Sequence, residues 1–234
     1  MKKILIVLLA IAILAAAGIA LAGIGGTAHD LRIKKTNSTL EPCAFCHTPH
    51  QGSPGASPSY PLWNRSQATQ TYTIYTSTTF NMYPGSATSS ALDFGSAPCL
   101  VCHNGVTSDL INYPGRGSTA NVAYNITSGD LTTWTNVGID LRNEHPVSFV
   151  YSSGLDAQAN NFPTAATGTI PGVSVNYPLF AQAVGASATY MGCSTCHAVH
   201  HTPVAAYNTV NQVYFLRSSN AGSALCDDCH RNKM

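Results

Sequence analysis

Eight cysteines stand in four pairs, two residues lie between the members of each pair, and a histidine follows every pair directly. The pairs are Cys43/Cys46 with His47, Cys99/Cys102 with His103, Cys193/Cys196 with His197, and Cys226/Cys229 with His230. Two thiols at this spacing, with an imidazole beside them, form the attachment signature of c-type haem. Each thiol joins a porphyrin vinyl group as a thioether, and the adjacent imidazole ligates the iron. No cysteine is left over, so the chain is expected to carry four covalently bound haem c groups. Paired cysteines can also hold zinc, but structural zinc sites bring two CxxC pairs together over about 15–20 residues. Here the first cysteines of successive pairs are 56, 94 and 33 positions apart. A disulfide framework would leave the four histidines unexplained.

The nine histidines are enough to cap every iron a second time. Four are the proximal ligands His47, His103, His197 and His230, which leaves His29, His50, His145, His200 and His201 for four distal positions. Past the apolar start, the thioethers available are Met82, Met191 and Met234. Bis-histidine ligation of all four irons is the simplest expectation, and it implies low reduction potentials. His50 cannot cap the iron bound by His47. The chain would have to round the porphyrin edge in three residues, and extended backbone covers only about 3.3–3.6 Å per residue. His50 must therefore reach another haem, and the same holds for His200 and His201 beside His197. A histidine that holds one haem, followed by one that caps another, brings two porphyrins close together. His200 repeats the spacing of His50, so it is preferred to His201, which stands as its alternative.

The elements that must position these groups are modest. Charged residues make up 9% of the 234, which argues against a basic nucleic-acid binder. With 19 glycines and 13 prolines and no strongly periodic helix, a large side-chain core is not expected. The fold class expected is a mostly irregular, coil-rich tetrahaem cytochrome, with short helices near the CxxCH motifs, a few short strands and the haem stack as its core. Short strands are expected within Thr71–Thr79, Val122–Ile126 and Val147–Tyr151. Trp63 is a candidate to pack on a porphyrin face, against ordinary loop packing. The first and third motifs each carry a histidine three places after the proximal one, and this weak repeat suggests haem-pair modules at about 29–103 and 193–230, joined by a haem-free middle. Lys2 and Lys3, the apolar run Ile4–Leu21 and the small residues before Gly23 read as a signal peptide over 1–22, with an uncleaved anchor as the alternative. Residues 23–234 then form a single tetrahaem domain. Loss of Lys2 and Lys3 leaves nine basic residues against ten acidic ones. Three glycosylation sequons occur, at Asn37, Asn64 and Asn125.

Five stretches occur in a recognisable order: His29-Asp30-Leu31, residues 43–50, Pro61-Leu62-Trp63-Asn64-Arg65, residues 99–105, and Asn143-Glu144-His145-Pro146-Val147. On these the chain resembles the multihaem c-type cytochromes with doubled CxxCH motifs. In length and haem count it is most similar to the OmcE-type tetrahaem cytochromes, which polymerise into extracellular nanowires. One departure is the doubled His200-His201, where the family more often has one histidine followed by glycine. The resemblance implies that His29, His50, His145 and His200 are the distal ligands, and that the adjacent subunit of a homopolymer donates one distal histidine. His29, on an arm near the N-terminus, is the economical donor; His50, His145 and His200 are the others.

The function expected is electron transfer rather than catalysis. The chain would be a secreted filament subunit delivering electrons to extracellular acceptors or redox partner cytochromes, without nucleic acid and without a membrane span once the signal is removed. A monomeric periplasmic shuttle is the alternative, and a multihaem reductase with an open iron position is the third reading. Mass spectrometry of the exported protein should find four covalently attached haems; fewer than four would overturn this reading.

Overall fold

The computed structural model describes residues 24, 27–35, 41–48, 62–65, 70–80, 88–89, 92–106, 126, 135–152, 163–165, 167–173, 175–200 and 215–230. The apolar start, His50, His201, Met82, Met234, Asn37, Asn125 and most of the Val122–Ile126 stretch lie outside them. Among the described residues no helix is long and apolar enough to cross a membrane.

All four motifs sit on helical turns. The first lies on a 3-10 turn over Pro42–Phe45. Helix α1 (Arg32–Lys35) precedes it, and the second motif ends α2 (Ala97–His103). The third forms α3 (Cys193–Cys196), and the fourth ends α4 (Ala224–Cys229). In the first, third and fourth motifs the histidine N–H donates to the carbonyl of the first cysteine, at 2.8, 3.1 and 2.8 Å. That i to i+4 turn puts both cysteines and the histidine on one face, because positions three and four apart stack on a helix. Pro42 and Pro98 start their turns where a missing N–H costs nothing. On α3, Thr195 Oγ1 accepts from Gly192 N at 3.0 Å and ties down the start of the turn.

The strands are two or three residues long and pair antiparallel: β1 (Tyr72–Thr73) with β2 (Thr88–Ser89), β3 (Phe149–Val150) with β6 (Tyr190–Met191), and β4 (Thr169–Pro171) with β5 (Asn176–Pro178). Within Thr71–Thr79 only Tyr72 and Thr73 join a ladder. Thr73 N then turns to Ile139 O at 2.9 Å, away from its partner strand.

Three side-chain clusters lie between the motifs. Phe149, Tyr151, Ile170, Tyr177, Leu179 and Met191 form one, with Cys196, Leu225 and Cys229 packed on its edge. Tyr72, Ile74, Leu92, Ala97, Leu100 and Leu141 form a second. Phe45 and Ile126, with Leu31, Cys46 and Cys102, form a third. The described part of the middle segment thus contributes a packed cluster against which the third and fourth motifs rest.

Gly192 is required by this packing. A Cβ there would run into the Asp93 carboxylate and lie 2.8 Å from Ser96 Oγ. Gly192→Ala should lower the unfolding free energy by about 1–3 kcal/mol, the usual cost of overpacking a filled site. Urea denaturation would show this as a lower midpoint.

Candidate haem-binding sites

The histidines come together in twos, each pair drawn from distant parts of the chain. The rings of His29 and His103 have centroids 6.1 Å apart, those of His47 and His200 5.8 Å, and those of His145 and His230 6.2 Å. Two imidazoles on opposite sides of one metal ion, at about 2 Å per metal–nitrogen bond, have centroids roughly 6 Å apart. Each pair joins one motif histidine to one of the remaining histidines. Among the described residues no group of three or more His, Cys, Asp or Glu converges as a tetrahedral metal site would need. The donor set and its spacing fit haem, whose iron these paired imidazoles would hold.

Neighbouring groups set the state of these rings. His103 Nδ1 donates to Thr135 O at 2.6 Å, and His145 Nδ1 donates to Pro146 O at 3.0 Å. A carbonyl can only accept, so Nε2 of each ring keeps its lone pair for a metal. Burial pushes His29 down to about 4, and positive charge at His103, His197 and His200 acts in the same direction. His200 is lowered too, by burial first and then by His47. A neutral imidazole is the form that ligates. Phe215 stacks on His29 at 4.6 Å, and Trp63, buried, meets the His47 ring edge-on at 6.1 Å.

The cysteines pair across motifs as well. Cys46 and Cys102 share one cluster, and burial pushes the Cys46 thiol up to about 12, with Cys102 adding to the shift. Cys99 Sγ lies 3.7 Å from Gly95 O and 4.0 Å from Ser194 Oγ of the third motif. Each of the first three motifs therefore has a neighbouring motif at its attachment edge.

The first and third motifs are built alike. His47 bridges Trp63, and His197 bridges Leu216. Thr48 N donates to Leu62 O at 2.8 Å, and Ala198 N to Phe215 O at 2.7 Å. Asn64 N donates to Cys46 O at 2.8 Å, and Arg217 N to Cys196 O at 2.9 Å. Leu62 and Phe215 hold the same left-handed backbone, with φ of 58° and 60°. Even the side-chain clamp recurs: Asn64 Nδ2 donates to Ala44 O at 2.6 Å and Arg217 Nε to Ser194 O at 3.0 Å. Arg65, 1% exposed, adds a bond from Nε to Phe45 O at 2.9 Å. Asn64 is itself 3% exposed, so this sequon is closed to a glycan in the folded chain.

The fourth motif is held by a side chain within it. Asp228, between Cys226 and Cys229, accepts from Tyr177 OH at 2.6 Å and from Val173 N at 2.8 Å, and Tyr177 OH also meets Ser218 Oγ at 2.6 Å. The clamps at Asn64, Arg65 and Arg217, the Asp228 lock and the Thr135 carbonyl escaped the sequence reading. A sequence signal existed only for the first: Leu62-Trp63-Asn64-Arg65-Ser66 and Phe215-Leu216-Arg217-Ser218-Ser219 are loosely alike, at different distances from their motifs. Within the chain the His29 ring faces His103, the arrangement in which it would serve its own subunit. His50 and His201 lie outside the described residues. No protein-family model matches the chain, and no curated protein matches it.

If the chain holds four haems in this way, His29→Ala and His145→Ala should each leave one iron five-coordinate, and electron paramagnetic resonance would read a high-spin signal from about a quarter of the haem. Four low-spin haems in either variant would refute the pairing.

Proposed function

We propose that this chain is an electron carrier holding four covalent haem c groups, each iron between two imidazoles, and that copies of it assemble into an extracellular filament that delivers electrons to acceptors outside the cell. The observation that carries the reading is the set of three histidine pairs at 5.8–6.2 Å, each joining a motif histidine to one remote in sequence. Cys43, Cys46, Cys99, Cys102, Cys193, Cys196, Cys226 and Cys229 hold the porphyrins, and His47, His103, His197 and His230 bind from the proximal side. His29 serves the iron at His103, His200 the iron at His47, and His145 the iron at His230. Exchanging the first and third motifs, which are built alike, carries His200 onto His50 and His47 onto His197. His50 is thereby assigned to the iron at His197, with His200 preferred to His201.

Bound haem supplies a one-electron iron couple at low potential. The chain's own residues favour neutral His29 and His200 by burial, set the tautomers of His103 and His145 through Thr135 and Pro146, and bring the attachment edges of successive motifs together. Imidazoles on both sides of every iron leave no position for a substrate, which supports a carrier over a reductase. The filament part of the proposal draws on the family resemblance. The motif exchange supports the iron at His197 for His50; service to that iron in a neighbouring copy is what a filament needs, and service within the chain is what a periplasmic shuttle needs.

Negative-stain images of the exported protein should show filaments that shorten on dilution. Monomers at every concentration, still with four low-spin haems, would leave the carrier but remove the filament. The reduced protein should bind no carbon monoxide, and appreciable binding at one haem would revive the reductase.

A further inference from the structure

We infer that Asp93 is a redox-linked proton acceptor for the haems of the second and third motifs, so that electron uptake there draws a proton from water. This rests on the haem reading above. Asp93 is 0% exposed. It opens the turn that leads into α2. Its Oδ1 accepts from Gly95 N at 2.7 Å, and its own N–H donates to Ser148 Oγ at 3.0 Å. Its Oδ2 is fully buried and has no hydrogen-bond partner. Native proteins rarely leave such an oxygen orphaned, because its desolvation is uncompensated.

The place of this carboxylate gives the orphan a use. Ser96, three residues on, takes Cys193 N on its hydroxyl at 3.1 Å, so the turn grips the start of the third motif. Cys99 of the second motif meets Ser194 of the third on the same seam. Gly192 packs against Asp93 from the third-motif side. The carboxylate therefore sits between two attachment edges while ligating neither iron. The elements packed on it offer these groups: Cys99 from α2, Cys193 from α3, Ser96 from its own turn and Ser148 from before β3. Both cysteines are thioethers in the holoprotein and carry no proton. Among the described residues no cation or second carboxylate shifts Asp93, and burial pushes it up to about 6 against the donors Ser96, Gly95 and Ser148.

An added electron makes each nearby iron one unit more negative, and at this depth the interaction is weakly screened. The proton affinity of Asp93 must then rise, and by reciprocity its protonation must raise the haem potential. The step balances. A one-electron donor, a reduced cytochrome or a chemical mediator, reduces ferric to ferrous iron. One proton from water forms an O–H bond on Oδ2, and the charge of the pair is unchanged. Reoxidation releases both.

The test is spectroelectrochemical titration of the holoprotein across pH, with Asp93→Asn beside the parent. Midpoints of two haems should fall as pH rises through and above about 6 in the parent, by a readable part of the 59 mV per tenfold proton change of a one-electron couple. Asp93→Asn should lose that component while keeping four haems. The reduced-minus-oxidised infrared difference should contain a protonated carboxyl band, sensitive to heavy water, that the variant lacks. If the asparagine variant does not fold, Ser148→Ala keeps the carboxylate, removes one donor and should move the pH window upward. Unchanged pH dependence in the folded variant, or in Ser148→Ala, would overturn the inference alone. Fewer than four attached haems in the parent would overturn the reading beneath it.

Discussion

Imidazole rings held about 6 Å apart, each pair joining segments far apart in sequence, are the constraint on which the rest of this molecule depends. His29 meets His103, His47 meets His200, and His145 meets His230, so each pair closes a loop of several dozen residues or more. Closing such loops costs entropy that grows only slowly with length, and a metal clip across a long loop offsets the most. Between the pairs the chain needs little regular structure. Among the described residues, strands of two or three residues and helices of one or two turns suffice when the long-range ties are made elsewhere.

The first and third motifs show how one such tie is built twice. The backbone bonds, the bridge partner and the left-handed residue are the same, while the clamping side chain is asparagine in one and arginine in the other. What is kept is a donor aimed at a carbonyl between the two cysteines. That donor stiffens the turn which presents both thiols and the imidazole on one face. The strain at Leu62 and Phe215, costly for a residue with a Cβ, is held by the bridges that flank it.

Two buried carboxylates near the motifs differ in what surrounds them. Asp228 is matched by Tyr177 and the Val173 N–H, and it locks the fourth motif to the β4–β5 hairpin. Asp93 has donors for one oxygen and none for the other. A satisfied buried carboxylate specifies structure; an unsatisfied one is left free to change its charge. The difference places rigidity at the end of the motif series and adaptability at the seam between the second and third.

Much of the candidate site was legible in the residues alone. CxxCH is a local pattern, and its thiols and imidazole converge by helix geometry wherever the chain places it, so the attachment residues and the supply of capping histidines could be counted. The limit that would keep His50 from an iron held by His47 is also local, a matter of reach. The partner of each cap was not legible, because it depends on how segments a hundred or more residues apart pack, as for His47 and His200. The likeness of Asn64 to Arg217 was hidden by unequal spacing and unlike side chains. Asp93 carried no signal at all, since an aspartate in a turn reads as exposed until the fold covers it. Sequence by itself determined which thiols and imidazoles the chain offers and how many. Tertiary structure decided which ones face each other, because facing is set by loop closure and packing over the whole chain and not by neighbours along it.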